Sequence, residues 1–364
     1  TVAYELRSEQ EQAVAQTFDY FQSHQNGEFL WNAKPRFGKT LATYDLCKRL
    51  KESKGKMACN ILIVTNRPAI ANSWYDDFVK FLGTESGFRF VSEVSALKGK
   101  PYVLTRYEYT DNLSSSGLAS CIEFVSLQDL KGSLYFGGQY DKLKELVQMQ
   151  WELLVIDEAH EGVDTSKTDV AFHQIKRNHT LHLSGTPFKA LANDKFPADA
   201  IYNWTYADEQ KAKRDWSDVE HNNPYENLPQ LNLFTYQMSE IIRDQLQQGV
   251  EIEGETEEYA FDLNLFFSTK ANGSFVYESS VDRFLNALTT QEKFPFSTPE
   301  LRAELCHTFW LLDRVDSAKA LAKKLKAHPV FKDYEIILAA GDGRLSEEDE
   351  AKKAYDKVRD AIDK

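Results

Sequence analysis

Several features are scarce or missing here, and each absence narrows the possibilities. No run of about 18 apolar residues occurs, so no segment reads as a membrane-spanning helix. The apolar stretch Ile61–Val64 is too short and too internal for a secretion signal. Cysteine is sparse: Cys47, Cys59, Cys121 and Cys306 are the only four, and none stand in a CxxC spacing. Neither a zinc site nor a disulfide framework is suggested, and the thiols read as buried or incidental in a reducing, cytoplasmic setting. Internal repeats and low-complexity tracts are absent. Basic charge is in deficit, with 43 Lys and Arg against 56 Asp and Glu and a net charge of −13. That argues against coating nucleic acid by bulk electrostatics, though it leaves room for a local groove that grips a backbone. The chain opens on Thr1 rather than Met, which reads as a processed or excised start.

What is present supports folded cores. Hydrophobic residues make up 42% and aromatics 13% of the 364 residues, enough for two or three domains. Glu9–Gln22 carries Val14, Phe18 and Phe21 at helical spacing, and Asn26-Gly27 marks a turn. Phe29–Trp31 predicts a short strand and Leu41–Leu50 a helix. Asn60–Thr65 is a continuous apolar run of the kind buried in parallel sheets. Cys121–Val125, Leu153–Asp157 and Thr180–Ser184 predict further strands. Strands alternating with helices indicate an α/β domain with a parallel sheet over residues 1–191.

The pattern changes after Leu191. Residues 192–302 read as connecting or inserted structure rather than more sheet, with a strand expected at Leu231–Met238 and an acidic cluster at Glu251–Glu258. The aromatic residues Trp204, Tyr206, Trp216 and Tyr225 could stack on bases, but filling a small core is the stronger reading. A new α/β start is expected over 303–364, from the apolar Leu305–Leu312, a helix at Ser317–His328 and a strand at Glu335–Leu338.

Two motifs carry chemistry. Residues 33–40 read Ala33, Lys34, Pro35, Arg36, Phe37, Gly38, Lys39, Thr40, a phosphate-loop pattern with Ala33 in place of the usual first glycine. Between a strand and a helix N-terminus, such a loop holds phosphate oxygens with backbone N–H groups and the helix dipole. Lys39 would reach the β- and γ-phosphates of ATP, Thr40 would bind Mg²⁺, and Gly38 would let the backbone approach closely. Pro35 has no N–H to donate and Arg36 is bulky, so the cradle departs from the common pattern. Residues 157–160 read Asp-Glu-Ala-His at the end of an apolar strand. Asp157 would hold Mg²⁺ and Glu158 would orient the attacking water as general base. A surface turn with two solvated acids is the competing reading, and the correct order of loop and acids counts against it.

With these motifs in place, the chain resembles the superfamily-two helicases and translocases of the DEAD/DEAH-box type, most closely the motor parts of type I and type III restriction enzymes. The resemblance implies a RecA-like phosphate-loop lobe and the start of a second. Leu6-Arg7-Ser8-Glu9-Gln10 is similar to the adenine-reading segment, with Arg7 and above all Gln10 at the base. Thr65-Asn66-Arg67 and Ser126-Leu127-Gln128 resemble nucleic-acid contact motifs, which places Asn66, Arg67, Ser126 and Gln128 on the backbone of the track. For these four, ordinary loop capping is the competing reading. Ser184, Gly185 and Thr186, followed by Pro187, resemble the motif that couples hydrolysis to lobe movement, in relay with His160. The stretch Tyr206-Ala207-Asp208-Glu209 also suits restriction-enzyme motors, and Trp310-Leu311-Leu312 with Ser317-Ala318 resembles the opening of the second lobe.

The resemblance implies an ATP- and Mg²⁺-dependent motor on nucleic acid, with DNA as the favoured track. Its partners would be the remainder of the second lobe and an attached nuclease or methyltransferase, and no membrane. The late motifs, arginine fingers included, do not occur before Lys364, so this chain alone is expected to bind ATP and hydrolyse it slowly. An RNA helicase shares the same ATPase motifs. A non-motor ATP-gated clamp is a third reading, which Glu158 counts against. A small-molecule kinase is a poor fourth, having no use for Ser184–Pro187.

Overall fold

Apolar runs become strands, and at the centre of the sheet, in Ile61–Thr65, Ser120–Ser126 and Trp151–Asp157, they are buried on both faces. In the computed structural model, which describes residues 1–66, 70–116, 119–158, 171–187, 194–231, 263–292, 294–339 and 354–362, they form one parallel sheet. The strands are β1 (Glu28–Ala33), β2 (Ile61–Thr65), β3 (Phe88–Ser92), β4 (Val103–Leu104), β5 (Ser120–Ser126), β6 (Trp151–Asp157), β7 (Arg177–Ser184) and β8 (Ile201–Trp204). Their spatial order is β4-β3-β5-β2-β6-β7-β1-β8. Alternate side chains feed two cores, as the strand period of two requires. Ile61, Ile63, Leu153 and Val155 face one layer, with Trp31 and Tyr44. Leu62, Val64, Leu154 and Ile156 face the other, with Tyr109 and Trp151.

The helices described in this part of the chain are α1 (Ser8–Ser23), α2 (Lys39–Lys54), α3 (Ala71–Asp77), α4 (Arg106–Ser116), α5 (Leu127–Gly132), α6 (Lys144–Gln148) and α7 (Tyr206–Asp215). Helix α1 is seated on the sheet through Thr17, whose hydroxyl accepts the Trp31 indole N–H at 2.7 Å and donates to the Ala13 carbonyl. Helix α2 begins at Gly38, which takes the left-handed conformation at φ 82°.

Two compact units are present, Thr1–Gln230 and Leu231–Lys364. The sheet does not stop near residue 191. Residues 201–204, read from the sequence as part of a connecting region, form β8 and pair in parallel with β1 from Leu30↔Ile201 to Ala33↔Trp204. Without β8 the strand that leads into the phosphate loop would be a bare edge. The aromatics of this stretch pack together. Tyr225 is buried, lies 6.3 Å from the Trp204 ring and donates its hydroxyl to Glu9.

The second unit is described as helices: α8 (Leu263–Phe266), α9 (Glu278–Thr290), α10 (Pro299–Glu304), α11 (Val315–Ala327) and α12 (Ala354–Ile362). Its core is aromatic, with Phe266, Phe267, Phe275, Phe296 and Phe331 around Val281 and Leu321. The expected helix at Ser317–His328 is α11. The expected strand at Glu335–Leu338 does not form, nor does one at Leu305–Leu312. Among the described residues no chain segment offers either of them a ladder, and an extended run without a partner is not a strand. Trp310 and Leu312 pack on the aromatic core while Phe309 and Leu311 are exposed. Of the predicted strand at Leu231–Met238 only Leu231 is described, and Glu251–Glu258 lies outside the described residues.

Candidate functional site

In a parallel sheet, ligands collect at the carboxyl ends of the strands. The register sets the sequence motifs along that edge. Asn32 pairs with Ser184, Leu183 with Asp157, Asp157 with Thr65, and Thr65 with Ser126. The phosphate loop follows β1 at one side of this row, the two acids end β6 near its middle, and Ser126 ends β5 beyond them.

The loop is held by a tight turn, in which the Phe37 N–H donates to the Lys34 carbonyl at 3.2 Å. Arg36 and Gly38 both have positive φ, 70° and 82°. Phe37 is fully buried and packs edge-on to Trp31, which anchors the loop from beneath. Pro35 and Arg36 are exposed on the rim. Ala33 is fully buried at the end of β1, where its carbonyl accepts the Lys39 ammonium at 3.0 Å. Lys39 thus bends back across the mouth of its own loop. Burial pulls its pKa down, while Glu158 and Asp157 act in the opposite sense. Lys39 therefore lies within electrostatic reach of both acids. Thr40 follows in the first turn of α2, half-buried. Lys34 pairs with the buried carboxylate of Glu209 on α7, so the loop is also braced from the segment beyond β8.

Asp157 is 7% exposed. Its Oδ1 accepts the Glu158 N–H and its Oδ2 accepts the indole N–H of Trp74, each at 2.9 Å. Burial raises the carboxyl's pKa, and the Trp74 bond works against that rise. Glu158 sits at φ 53°, a left-handed conformation that costs a non-glycine residue energy and is concentrated at functional sites. The donor set available to a cation, a buried carboxylate and a threonine hydroxyl, is the hard-oxygen kind that suits Mg²⁺, which keeps several of its waters. No group of three or more His, Cys, Asp or Glu that could cage a metal occurs among the described residues.

Ser184 is fully buried, and its hydroxyl accepts the Thr186 N–H at 3.1 Å. A Cβ on Gly185 would lie 3.5 Å from the Ala33 carbonyl and from the Pro35 ring. Gly185 therefore rests directly against the phosphate loop, between Ser184, which pairs with Asn32 on β1, and Thr186. His160 and Arg67 lie outside the described residues.

The expected adenine reader is engaged elsewhere in this structure. Gln10 is 3% exposed. Its amide donates to the Phe37 carbonyl at 2.8 Å and accepts the Arg7 N–H at 2.9 Å. The Arg7 guanidinium donates to the same Phe37 carbonyl at 2.8 Å and pairs with buried Glu9. Both residues thus clasp the phosphate loop from α1. On the far side of the edge, Asn66 and Gln128 are exposed. Ser126 is buried and serves as the N-cap of α5, accepting the Asp129 N–H at 3.0 Å. Its hydroxyl therefore carries out the capping that competed with the contact reading.

A cavity of about 390 Å³ opens on this same far side, away from the phosphate loop. It is lined by Glu93, Glu123, Asp129 and Glu145 against Arg106 and Lys142. Acids outnumber bases, so it is no phosphate cradle. Trp74 is the contributor that the sequence does not mark, because it meets Asp157 only through the fold, across 83 positions. The sequence singles out Tyr225 and Glu209, but their partners Glu9 and Lys34 also come only from the fold.

The fold and the row of motifs along its edge define a RecA-like α/β lobe of the phosphate-loop class. Residues 3–189 match the family described as type III restriction enzyme, res subunit, and the chain belongs to that family. It is 25% identical, over an alignment of 391 positions, to a Mycoplasma pneumoniae protein provisionally described as the C-terminal part of a type II restriction enzyme and methyltransferase. That alignment covers 92% of this chain and 52% of the relative, so the chain spans about half the relative's length. Among solved structures it is similar to the type ISP restriction-modification enzyme LlaGI, in a nuclease-deleted form bound to a DNA substrate mimic. That match has 13% identity, a TM-score of 0.43, and covers 93% of this chain and 34% of the other. The Sulfolobus solfataricus SWI2/SNF2 ATPase core with double-stranded DNA matches at 13% identity and a TM-score of 0.41, covering 89% and 70%. The UvsW helicase of bacteriophage T4 matches at 16% and 0.36, covering 55% and 61%. These likenesses are weak, with every TM-score below 0.5, and the family assignment rests on the match over residues 3–189. Among the described residues no helix is long and apolar enough to cross a membrane.

Proposed function

We propose that this chain is the ATP-hydrolysing part of a DNA translocase or helicase within a restriction-modification protein. The observation that carries the reading is the convergence of Lys39, the Asp157–Glu158 pair and Ser184–Thr186 on one sheet edge beside the phosphate loop.

In this reading Lys39 leaves the Ala33 carbonyl and donates to the β- and γ-phosphates of ATP. Backbone N–H groups at the start of α2 hold the remaining oxygens. Thr40 and Asp157 would hold Mg²⁺, which when bound neutralises phosphate charge. Glu158 orients the attacking water and takes its proton. Gly185 rests on the loop, so a change in the loop on hydrolysis is felt at once by the Ser184–Thr186 segment, which passes it to the second lobe. Asn66, Ser126 and Gln128 lie toward the other end of the chain's contact edge in this scheme, with Asn66 and Gln128 exposed to meet a phosphate backbone and Ser126 offering its backbone rather than its hydroxyl; Arg67 would join them on the track. Gln10 and Arg7 clasp the loop and would turn to the base when nucleotide enters. His160 would join the relay. The second lobe, and a nuclease or methyltransferase like that named in the Mycoplasma relative, are the proposed intramolecular partners.

The test is steady-state ATP hydrolysis with duplex DNA, single-stranded DNA or RNA added, and Lys39→Ala as control. Stimulation by DNA that is lost in Lys39→Ala supports the reading. Stimulation by RNA alone makes it an RNA helicase. ATP binding without stimulation by any of them makes it a clamp.

A further inference from the structure

The Asp157 carboxylate is held by two N–H groups of different origin. The Glu158 N–H that meets Oδ1 comes from the next residue, and the strand end supplies it locally. The indole N–H that meets Oδ2 comes from α3, 83 positions earlier, and is delivered by the fold. Trp74 is itself immobilised. It is 1% exposed, its carbonyl accepts the Tyr44 hydroxyl at 2.6 Å, and its ring stands edge-on to Tyr44 at 5.5 Å. Tyr44 is fully buried on α2, the helix that Lys39 and Thr40 open. A continuous path therefore runs from the phosphate-loop helix through Tyr44 and Trp74 to the carboxylate on β6.

The chemistry of the bond suits positioning. An indole N–H is a donor only, with no rotor to turn it away, so it can meet the carboxylate in one sense alone. A carboxylate that must hold a hydrated cation at a fixed place has its rotamer set by such a partner, and losing one typically costs about 10–100-fold in metal affinity.

We propose that Trp74 is a positioning residue for the Mg²⁺-holding carboxylate, its indole N–H fixing Asp157 in register with Thr40 while Tyr44 fixes Trp74. The inference rests on the reading of Asp157 given under Proposed function. Trp74 touches no substrate and takes no proton.

The experiment measures binding of a fluorescent N-methylanthraniloyl ATP to the whole chain, once with EDTA and once over a Mg²⁺ titration. Wild type, Trp74→Phe, Asp157→Asn and the double variant are compared. Trp74→Phe keeps the aromatic filling and removes the donor. It is expected to raise the Mg²⁺ concentration needed for half-maximal tightening by about 10–100-fold while leaving EDTA-condition binding within about two-fold. In the Asp157→Asn background the same change should add no further loss. Unchanged Mg²⁺ dependence in Trp74→Phe overturns the proposal, as does an equal loss with and without Mg²⁺, which is the mark of a merely structural tryptophan. Should Trp74→Phe fail to fold, benzothienyl-alanine at position 74, isosteric and lacking only the N–H, is compared with wild type in the same way, with the same shift expected and the same two results overturning the proposal. A separate result sinks the underlying site: if Asp157→Asn keeps the wild-type Mg²⁺ dependence, Asp157 is not the metal carboxylate, and the role of Trp74 falls with it.

Discussion

Replacing Gly38 with alanine puts a methyl group where the structure has no room and demands a conformation that L residues avoid. The added Cβ would lie 2.4 Å from the Gln10 side-chain nitrogen, at a backbone φ of +82°. The left-handed conformation costs about 1–2 kcal/mol for a residue with a Cβ. Gln10 must also swing aside, which breaks its buried bond to the Phe37 carbonyl. The Phe37 carbonyl keeps its bond from Arg7, but leaving the buried Gln10 amide unsatisfied costs about 1–3 kcal/mol. Together the change is worth about 2–5 kcal/mol, a large share of the 5–15 kcal/mol typical of a folded domain. Urea unfolding of Gly38→Ala, Gln10→Ala and the double variant separates the two contributions. With the Gln10 side chain already gone, Gly38→Ala should cost only the conformational part, so the cycle should show a coupling of about 1–3 kcal/mol. Gly185→Ala is the internal control: its Cβ would meet the loop at an ordinary 3.5 Å, and the change should cost far less. Strict additivity of Gly38→Ala and Gln10→Ala would refute the clasp between α1 and the phosphate loop.

Other expectations follow from the same structure. Ser126→Ala removes the N-cap of α5 and should destabilise the lobe by about 1 kcal/mol in a thermal or urea melt. An unchanged melt would return the hydroxyl to the track. His182 is buried at 3.1 Å from Glu28, and burial lowers its pKa despite the neighbouring carboxylate. The His182 hydrogen bond in turn lowers the pKa of Glu28. Both groups hold fewer protons folded than unfolded, so the stability they contribute is present above about pH 6.5 and is lost as the pH falls toward the carboxylate range. In His182→Asn the upper part of that acid loss should flatten, and an unchanged slope between pH 7 and 5 would contradict the assignment. Burial raises the pKa of the Cys47 and Cys121 thiols and pushes Cys59 up to about 12, whereas Cys306 is exposed. A native thiol titration with an aromatic disulfide should therefore show one fast cysteine, absent in Cys306→Ser, and two or more fast thiols would mean that the sheet is open.

Where the chemistry lies in contiguous residues, the sequence is readable. The strand, loop and helix around Lys39 and the apolar strand ending in Asp157 both declare themselves locally, because a parallel strand buried on both faces must be apolar throughout. Edge elements are harder. In β3, Arg89 interrupts the apolar run and spends its guanidinium on the Thr84 and Phe88 carbonyls, while β4 has only two residues. Strand β8 carries Asn203, which looks like loop sequence until it is seen accepting from Asn32 on β1 at 2.8 Å. Long-range partners are illegible for the same reason. The motif of Gln10 points to a base contact and gives no sign of the Phe37 carbonyl, 27 positions away, to which its buried amide donates here. The expected strand at Glu335–Leu338 rests on composition alone, and a strand exists only where a neighbour supplies its ladder.

If the acids at the end of β6 turn over ATP held by the phosphate loop, Glu158→Gln should separate binding from hydrolysis. In single-turnover hydrolysis of Mg²⁺·ATP, measured alongside ATP binding, Glu158→Gln should bind close to the unaltered chain and hydrolyse at least about 100-fold more slowly, the contribution of a positioned general base. Hydrolysis by Glu158→Gln at the unaltered rate, with ATP bound, would contradict that role for Glu158.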